Sequence, residues 1–425
     1  VSYAQVGKDA PVFGSKTYYV PGALNDGFTS GIIFPINNGV PIGGYQITSS
    51  ISVIGNPDLK PEKTSSYEVG TELGFLKNRI NFTGTYYYSK TQDAIFTVPF
   101  TYTTGFASKL LNAGEITNRG FELSLNTNPV KANHFNWDLN FNWSMNRNKV
   151  TKLYPGVDKI LIAGFQNGEI DAFEGKPFGQ IFGSAYVRAN ASTTTTSKEL
   201  PSGELLINDD AHDPGYGMPI VATQNAIIGD VNPDWQGSVI NNLTYRGLTL
   251  GFQVDVRHGG EIWNGTKGAL SYFGTSKETE NRGSSKVFAG LAGHLNANGD
   301  IVHFDANGAE VAGPGGANTV SAVLNQYYWQ NIGSSFIGPS EPDVEDGSFV
   351  KLRQVSLTYA FPASLFKNTF RTLSLSVFAN NILIHTKYQG VDPETSLAGP
   401  ANGQGLDYFN NPGVKTYGVR LNLGL

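Results

Sequence analysis

The chain has 425 residues, with 30 Lys and Arg against 35 Asp and Glu, which gives a formal net charge of −5. Charged residues make up only 15% of the chain and aromatic residues 12%, whereas soluble domains carry about 25% charged residues. Cysteine is absent, which excludes a disulfide scaffold, a Cys-ligated metal centre and a cysteine nucleophile. The acidic balance argues against binding to nucleic acid, which requires a basic surface.

Apolar and polar residues alternate with a period of two in several segments, and this pattern predicts β-strands. In segment 67–75 the odd positions are mainly apolar, whereas the even positions include Glu68 and Glu72. The same alternation recurs in segments 121–126, 137–145, 248–256 and 417–425. One face of each strand is therefore apolar, with many aromatic residues, and the other is polar or small.

Short turns join the predicted strands in pairs, and long connections separate the pairs. The pairs are 66–76 with 79–90, 117–128 with 135–146, 235–245 with 248–257, and 348–360 with 371–381, followed by a last strand at 414–425. The long connections cover about 91–116, 147–234, 258–347 and 382–413. The 147–234 stretch contains a possible further strand pair around 178–188.

Strands of about ten residues, with tight turns at one end and long loops at the other, are typical of outer-membrane barrels. Because hydrocarbon offers no partner for backbone N–H and C=O groups, a sheet within it must close on itself. The sequence therefore predicts an all-β, antiparallel transmembrane β-barrel with nine or eleven strands in this chain. Residues 66–425 are its strands and long loops, and residues 1–65 are an extracellular loop or strand connection. A long-stranded soluble β-sandwich is the alternative.

Nothing in the sequence predicts a catalytic centre or a cofactor. The chain contains no nucleophile-elbow, phosphate-loop or dinucleotide-binding motif. Its six histidines lack the spacing of a metal site. Acidic residues at Asp209, Asp210, Asp213, Asp300 and Asp305 suggest calcium, but they do not match an EF-hand loop with its Gly and terminal Glu, and we favour solvated loops. We therefore expect a protein that is not an enzyme.

Seven short blocks resemble, in the same order, those of TonB-dependent transporters of the SusC/RagA type, a family of the Bacteroidetes. They are NPDLKPE at 56–62, NAGEITNRGFE at 112–122, GKP at 175–177, GDVNPDW at 229–235, DGSFVKLR at 346–353, NNI at 380–382 and YQGVDPE at 388–394. Each block alone is a weak signal, but seven in family order are specific.

The resemblance implies the C-terminal half of a large barrel of about 22 strands, whose lumen is filled by a plug domain. The plug is absent from this chain, as is the segment that contacts TonB. An open half-barrel would leave two unpaired strand edges in lipid. We therefore expect a cleaved product, a split subunit or a portion of a longer polypeptide.

The same resemblance implies TonB-dependent import of a nutrient, either a glycan or a peptide, across the bacterial outer membrane. Its expected partners are a SusD-like surface lipoprotein on the extracellular loops, the TonB complex acting through the missing N-terminal plug, the remainder of the same barrel and the lipid bilayer. A passive porin and a soluble β-sandwich that binds glycans or acts as an adhesin are the alternatives.

Two groups of residues are candidates for contact with a ligand. The first group is polar and faces the predicted lumen: Glu68, Glu72, Glu122, Asp138, Asp255 and Arg420. The second group is aromatic and lies in the predicted loops, where rings can stack on sugars: Trp263, Tyr327, Tyr328 and Trp329. Ordinary lumen solvation explains the first group equally, and packing against a partner or within the loops explains the second.

Overall fold

A computed structural model describes most of the chain. The described residues are 1–17, 23–24, 32–33, 36–37, 40–41, 53–104, 106–165, 168–190, 200, 202–366, 371–399 and 401–424. Within these residues, no helix combines the length and the apolar character that a membrane crossing requires.

One curved antiparallel sheet, which we call the wall, dominates the described part of the chain. Its ten strands, numbered in chain order, are β1 (Ser2–Lys8), β2 (Glu62–Phe75), β3 (Ile80–Pro99), β4 (Ser108–Lys131), β5 (Phe135–Leu153), β6 (Trp235–Tyr245), β7 (Leu248–His258), β8 (Phe349–Phe361), β9 (Thr372–Thr386) and β10 (Thr416–Gly424). Each strand pairs with its neighbour in sequence, from β1 at one edge to β10 at the other. A short strand, Val53–Ile54, pairs in parallel with the start of β4.

The predicted strand pairs are present, and their turns have the conformations that tight hairpins require. Arg246 and Gly247 link β6 to β7, and both have positive φ, 47° and 86°. This is the geometry of a two-residue turn that matches the twist of a hairpin. Leu76, Lys77 and Asn78 between β2 and β3 also have positive φ. The tight turns all lie at one end of the wall, so the long connections lie at the other.

The two faces of the wall differ as the alternation predicts. The apolar side chains point outward and are bare, and on β10 Tyr417 is 73% exposed and Val419 is 70% exposed. The opposite face carries the polar positions and is partly covered by the long connections. A bare apolar outer face is the surface that lipid covers in a transmembrane barrel.

Two expectations are corrected by the described residues. The sheet has eleven strands, the ten of the wall and Val53–Ile54, which equals the higher of the two predicted counts but with different members. The two strands beyond the predicted nine are β1 and Val53–Ile54, within the stretch predicted as a loop or connection at 1–65, parts of which lie outside the described residues. Most of the predicted loop 91–116 is strand, because β3 has 20 residues and β4 has 24.

The long connections fold into a layer of short elements beyond the wall, which we call the loop layer. A four-stranded antiparallel sheet orders Lys159–Phe165, Gly168–Phe173, Gln180–Tyr186 and Val221–Asp230. The strand predicted around 178–188 is therefore present, but it belongs to this sheet and not to the wall. Much of the predicted loop 147–234 is accordingly ordered strand.

The remaining elements of the loop layer and of the first 41 residues are short. Strand Glu261–Asn264 lies between Val344–Asp346 and Leu406–Asp407. The other strands are Ala23–Leu24, Ile32–Ile33, Ile36–Asn37, Val40–Pro41, Leu206–Ile207, Ser285–Lys286, Leu291–Ala292, His294–Leu295, Ile301–Phe304, Glu310–Ala312 and Ala322–Val323. The helical elements are α1 (Gly265–Tyr272), a π turn at Tyr328–Ile332 and single 3₁₀ turns at Tyr102–Thr104, Lys277–Asn281 and Glu341–Asp343. A further 3₁₀ turn, Ala363–Phe366, lies between β8 and β9 at the tight-turn end of the wall.

The buried apolar residues lie in the loop layer and at its junction with the wall. One cluster contains Ile170, Ile181, Trp263 and Leu406, all at most 1% exposed. A second cluster joins Val98 and Val150, on β3 and β5, to the four-stranded sheet. In the middle of the wall the apolar side chains are not buried within the protein. They point outward, where lipid would cover them.

Leu250→Arg tests which face of the wall meets lipid. Leu250 is the third residue of β7 and lies on its outer face, whereas Gln253 lies on the inner face and lines a cavity. A cation on the lipid face costs about 2–4 kcal/mol at the bilayer midplane and less toward the interface, so Leu250→Arg should impair assembly. The matched variant Gln253→Arg should assemble normally. The measurement is the folded fraction of the protein in the outer membrane, which is heat-modifiable on gels. Normal insertion of Leu250→Arg together with failure of Gln253→Arg would show that the Leu250 face points to the lumen and the Gln253 face to lipid.

Candidate functional site

The inner face of the wall contains a cavity of about 500 Å³, which we call the lumen cavity. Strands β3 to β8 and one loop residue supply its polar lining. These residues are Thr83, Thr85, Glu122, Ser124, Asn142, Ser144, Gln236, Ser238, Gln253, Asp255, Arg353 and Glu394. A polar concave surface of this size falls within the range of about 300–1,000 Å³ that small-molecule sites occupy.

Strand register arranges the polar side chains in rows across the wall. Thr83 pairs with Ser124, Ser124 with Asn142, Asn142 with Ser238, and Ser238 with Asp255. The Ser124 hydroxyl donates to Asn142 Oδ1 at 2.9 Å, and Asn142 Nδ2 donates to Ser238 Oγ at 3.4 Å. The row is therefore a ladder of neutral groups, hydrogen-bonded from Ser124 to Ser238, and the carboxylate of Asp255 is the next position across the wall.

A β-bulge supplies the cation beside that carboxylate. The pairing of β8 with both β7 and β9 shifts around Arg353. A bulge of this kind re-aims a side chain from its regular face. Arg353 Nε donates to Asp255 Oδ2 at 2.6 Å, and its two terminal nitrogens donate to Glu394 Oε2 and Oε1 at 2.8 and 2.6 Å. The second pair is the bidentate geometry that favours Arg over Lys.

Lys351 extends the same network into the loop. Its Nζ lies 2.9 Å from Asp392 Oδ2 and 2.5 Å from Glu394 Oε2, and the residue is only 4% exposed. A lysine this buried needs carboxylate partners to keep its charge. Two basic and three acidic residues form what we call the ion network: Lys351, Arg353, Asp255, Asp392 and Glu394. It fastens the segment 388–394 to the wall.

The ion network explains two of the sequence blocks. Lys351 and Arg353 belong to the block at 346–353, and Asp392 and Glu394 belong to the block at 388–394. Sequence reasoning proposed none of these four residues as site residues. The signal in the sequence was that one block carries two basic residues and the other carries two acidic ones. That the two blocks are in contact is shown only by the fold.

Other blocks also meet in space. Asn112 accepts a hydrogen bond from Lys60 N at 2.9 Å, and its Nδ2 donates to Lys60 O at 2.8 Å, so the blocks at 56–62 and 112–122 pair. Asn148 Oδ1 accepts from Phe178 N at 2.6 Å, and Asn148 Nδ2 donates to Asn232 Oδ1 at 2.7 Å. The first contact joins two blocks directly, and the second fixes Asn232 of the block at 229–235 beside β5.

Two of the six predicted polar ligand residues line the lumen cavity, namely Glu122 and Asp255. Glu68 and Glu72 lie on β2 away from that cavity and are exposed. Asp138 accepts hydrogen bonds from Asn128 at 2.7 Å and from Asn136, near the tight-turn end. The Arg420 guanidinium on β10 lies over the Phe378 ring at 5.6 Å. The lumen cavity therefore gathers a subset of these residues.

The predicted aromatic residues have different surroundings. Trp263 is 1% exposed and packs in the core against Phe165 and Tyr408, so its ring offers no surface to a ligand, contrary to the expectation for a loop residue. Tyr328 and Trp329 pack against a third apolar cluster of the loop layer. Tyr327 also lines a separate cavity in that layer. Local sequence gave no means of separating these roles.

The acidic loop residues make hydrogen bonds within the protein. Asp305 Oδ1 accepts from the backbone N–H groups of Asn307 and Ala309, both at 2.8 Å, and Asp210 Oδ1 accepts from His212 N at 2.9 Å. Asp209 contacts His294 Nδ1 at 2.7 Å and accepts from Phe304 N at 3.0 Å. Across the ranges that the structure describes, no three His, Asp or Glu side chains are grouped to hold a metal ion.

His294 fastens a β-hairpin to the rest of the loop layer. The hairpin contains His294–Leu295 and Ile301–Phe304, and His294 Nε2 lies 3.4 Å from Glu310 Oε1 on the adjoining strand. Burial of the imidazole acts to lower the pKa of His294, but its hydrogen bonds to the carboxylates of Asp209 and Glu310 outweigh burial and raise that pKa above its ordinary value. The protonated form is therefore the one that these carboxylates stabilise.

The fold and the lumen cavity define the class of protein: the chain is part of the wall of an outer-membrane β-barrel, with one polar face inside and one apolar face toward lipid. The profile described as "TonB dependent receptor-like, beta-barrel" matches residues 1–382. The chain belongs to this family of TonB-dependent receptors, and its place is the bacterial outer membrane.

Individual relatives support the assignment. The chain is 27% identical over 407 residues to TonB-dependent receptor P3 of Formosa agariphila, covering 90% of this chain and 36% of that protein. It is 33% identical over 139 residues to TonB-dependent receptor SusC of Bacteroides thetaiotaomicron, covering 32% of this chain and 14% of SusC. The chain thus spans little more than a third of the length of relatives such as P3.

Solved structures of the RagAB peptide importer share the fold. The open-open state superposes with a TM-score of 0.61 at 21% identity, covering all of this chain and 39% of that one. Another RagAB structure gives a TM-score of 0.60 at 20% identity, covering 98% of this chain and 39% of that one.

Arg353→Ala tests whether the ion network holds the segment 388–394 on the wall. The change removes three hydrogen bonds to carboxylates, and because the arginine is partly exposed we expect a loss of about 1–2 kcal/mol in the free energy of unfolding. Proteolytic cleavage between residues 387 and 415 should also become faster. Urea unfolding in detergent and limited proteolysis measure the two effects.

Arg420→Ala is the matched control for Arg353→Ala. Arg420 lies on the same face of the wall and is exposed, with its guanidinium over the Phe378 ring. Its removal should change the free energy of unfolding by less than about 0.5 kcal/mol. Equal effects of the two variants on stability and on cleavage would contradict the anchoring role of Arg353.

The pH dependence of the His294 hairpin follows from the direction of its pKa shift. Because the folded-state pKa is raised, the stabilisation is fully present below the ordinary His pKa and is lost as the pH rises through the raised value. Hydrogen-exchange protection factors at 294–304, corrected for intrinsic exchange, should therefore fall on going from pH 6 to pH 9. His294→Phe should remove this dependence, whereas His212→Phe, at a histidine whose side chain is 97% exposed, should preserve it. A pH-independent wild type would contradict the role of His294.

Proposed function

We propose that this chain is the ligand-facing wall of a transporter that imports a nutrient, a glycan or a peptide, across the outer membrane with energy delivered through TonB. The observation that carries the proposal is the open wall. Its outer face is bare and apolar, its inner face holds the polar lumen cavity, and β1 and β10 are not paired with each other among the described strands. Strand edges in lipid require partners, so the remainder of the same barrel must flank both edges.

The residues of this chain contribute recognition and positioning, with no bond of the nutrient being broken. Glu122 and Asp255 present carboxylates to the lumen cavity, and the neutral ladder from Thr83 to Ser238 presents hydroxyl and amide groups. The ion network holds the segment 388–394 against the wall, and Glu394 of that segment lines the cavity. A plug domain contacting TonB, supplied by the rest of the polypeptide, would open and close the path past these residues.

A SusD-like surface lipoprotein is the partner that we propose for the loop layer. An aromatic cluster in this layer supports the proposal: the rings of Tyr272, Phe273 and Phe336 lie 4.8–5.2 Å apart between centroids. Phe273 is 63% exposed and the neighbouring Ile337 is 57% exposed. Exposed aromatic clusters are typical anchors of protein interfaces. The RagAB structures are those of a peptide importer, which keeps a peptide among the candidate nutrients.

A passive porin is the second candidate function, because a wall with a polar inner face also suits an open pore. It differs from the proposed transporter in needing neither a plug nor TonB. A soluble β-sandwich is disfavoured, since the outer side chains of β10 would then face water at 60–73% exposure for Tyr417, Val419 and Leu421.

The test uses the full-length protein in its native host. Strains that lack its gene, or lack TonB, are grown on single glycans and single peptides, and the purified protein is placed in planar bilayers. We expect growth on at least one nutrient to require both the gene and TonB, and the bilayers to show almost no steady conductance. TonB-independent growth together with ohmic conductance would establish the porin instead.

Two neighbouring substitutions on β7 refine this test. Gln253→Arg places a cation in the lumen cavity and should slow uptake without reducing the amount of assembled protein. Val254→Leu lies beside it on the outer face and should leave uptake unchanged. If neither variant changes uptake, the lumen cavity is not on the path of the nutrient.

A further inference from the structure

The outer face of the wall carries a group of basic residues toward its long-connection end, which we call the cation patch. It consists of Lys90 on β3, Arg119 on β4, and Arg147, Lys149 and Lys152 on β5. All except Lys90 are exposed. Because β2 and β6 flank these three strands, the patch lies within the wall and not at one of its open edges.

Strand register arranges most of the patch in two rows on the lipid-facing side. In the first row Arg119 of β4 lies directly opposite Arg147 of β5. In the second row, farther from the tight turns, Lys90 and Lys149 lie on either side of Thr117. Side chains two positions apart on a strand share a face, and the alternate positions of these strands line the lumen cavity. Both rows therefore point away from the lumen.

The first row lies at the level where the hydrocarbon of the bilayer ends. Two positions from Arg119 toward the tight turns, Phe121 packs against Tyr86 with 5.0 Å between ring centroids, and the two residues are 42% and 39% exposed. Aromatic rings of this kind form the girdle at a membrane interface. On β5, Arg147 comes ten residues after Trp137, which lies near the tight-turn end. That distance is about 34 Å along the strand, or about 24 Å in height at a tilt of about 45°, close to the apolar band of about 25 Å in outer-membrane barrels.

The two arginines of the first row repel each other. Like charges at directly opposed positions of a ladder destabilise a sheet. Lys149, two positions beyond Arg147 on the same face, adds to this repulsion. The arrangement therefore costs stability when no anion is present. An anion bound at the two rows would replace repulsion by attraction, and it would stabilise the folded state that binds it.

Two carboxylates of the protein contact the patch and neutralise part of its charge. Glu115 Oε2 lies 2.7 Å from Lys90 Nζ, and Glu115 is opposite Lys152 in the strand register. Asp234 Oδ1 accepts a hydrogen bond from Arg147 Nη2 at 3.0 Å, and Asp234 O accepts from Nη1 at 2.9 Å. Five cations against these two carboxylates leave the patch with an excess of three positive charges.

Arg119 and Lys149 are the members of the patch best placed to meet a ligand. Arg147 Nη1 also donates to Pro233 O at 3.3 Å, so its guanidinium is held against the chain that leads into β6, on the far side of β5 from Arg119. Arg119 and Lys149 instead extend from the outer face and are exposed. A guanidinium presents a planar fork of donors that matches phosphate oxygens, and an ammonium binds the same group as a point charge.

We propose that the cation patch binds the phosphate groups of a lipid headgroup in the outer leaflet of the membrane. The inference concerns the lipid that surrounds the barrel, so it goes beyond the proposed function and does not depend on the nutrient. Phosphate carries the negative charge that the patch lacks, and its oxygens accept hydrogen bonds from both Arg119 and Lys149.

The position of the patch beside exposed rings favours a lipid over other anions. The acyl chains of a lipid would lie along Tyr86, Phe121 and the apolar residues below them, which holds its phosphate at the height of the first row. One ligand then meets the requirements of both the cations and the rings. A free phosphate ion meets only those of the cations, and a soluble protein would have to enter the bilayer to reach the rings.

The test measures lipid binding to the full-length protein, in a neutral detergent, by native mass spectrometry. The probes are lipid A with two phosphates, lipid A with one phosphate, phosphatidylcholine and inorganic phosphate. The patch variant, Arg119→Gln with Lys149→Gln, removes two cations of the patch. The matched control, Lys77→Gln with Lys131→Gln, removes two exposed cations at the tight-turn end of the wall. The folded fraction of each variant is checked by its heat modifiability on gels.

We expect the wild type to bind lipid A with two phosphates at least about tenfold more tightly than phosphatidylcholine, with the one-phosphate form between them. The folded patch variant should lose at least about fivefold in affinity for lipid A, and the control variant should bind like the wild type. Equal affinity for phosphatidylcholine, equal losses in the two variants, or unchanged binding by the patch variant would overturn the inference. Complete displacement of lipid A by inorganic phosphate would assign the patch to free anions instead. A lipid-independent dimer that dissociates in the patch variant would assign it to a second copy of the chain.

Urea unfolding separates lipid binding from a purely structural role of the two cations. Because Arg119 and Lys149 add to the repulsion at Arg147, the patch variant without lipid should unfold at the same urea concentration as the wild type or at a higher one. Lipid A should raise the midpoint of the wild type and have little effect on that of the patch variant. A lower midpoint for the patch variant in the absence of lipid would show that the two cations stabilise the sheet by themselves, against the inference.

Discussion

The wall depends on one constraint: every backbone N–H and C=O group that lies in hydrocarbon must find its partner within the sheet. This requirement explains why strands that are adjacent in sequence are also adjacent in space, since short hairpins satisfy it with the least chain. It also explains the division of side chains between faces, because a fully paired backbone leaves the outer residues free to meet lipid and the inner ones free to meet water. The polar ladder and the ion network are consequences of that division.

The sequence predicted those parts of the wall that this constraint governs. Strand β7 shows why: Leu250 and Gln253 lie on opposite faces, and lipid enforces the alternation between them. Outside the hydrocarbon the rule relaxes, so the extensions of β3 and β4 beyond 90 and before 117 do not alternate, and the residue pattern predicts a loop there. Strand β1 was missed for a related reason, since its seven residues, SYAQVGK, include polar or small residues on both faces.

The candidate site was less predictable, because its key contacts join residues that are distant in sequence. Alternation placed Glu122 and Asp255 on the inner face, where the structure finds them. Arg353 is at a position whose direction is set by a bulge, which the residue pattern does not reveal. Trp263 was assigned to a loop surface, whereas two short strands enclose it, and that enclosure exists only after residues 344–346 and 406–407 have come together.

The length of the β3–β4 hairpin has a mechanical consequence. A strand of 24 residues tilted at about 45° rises roughly 55 Å, whereas the hydrocarbon core of a bilayer is only about 30 Å thick. About 25 Å of paired β-structure therefore projects beyond the hydrocarbon core of the membrane. Elements attached near its tip, including the cluster that contains Val98 and Val150, are held at a fixed height from the lipid. An incoming molecule would then meet a rigid rim well clear of the bilayer surface.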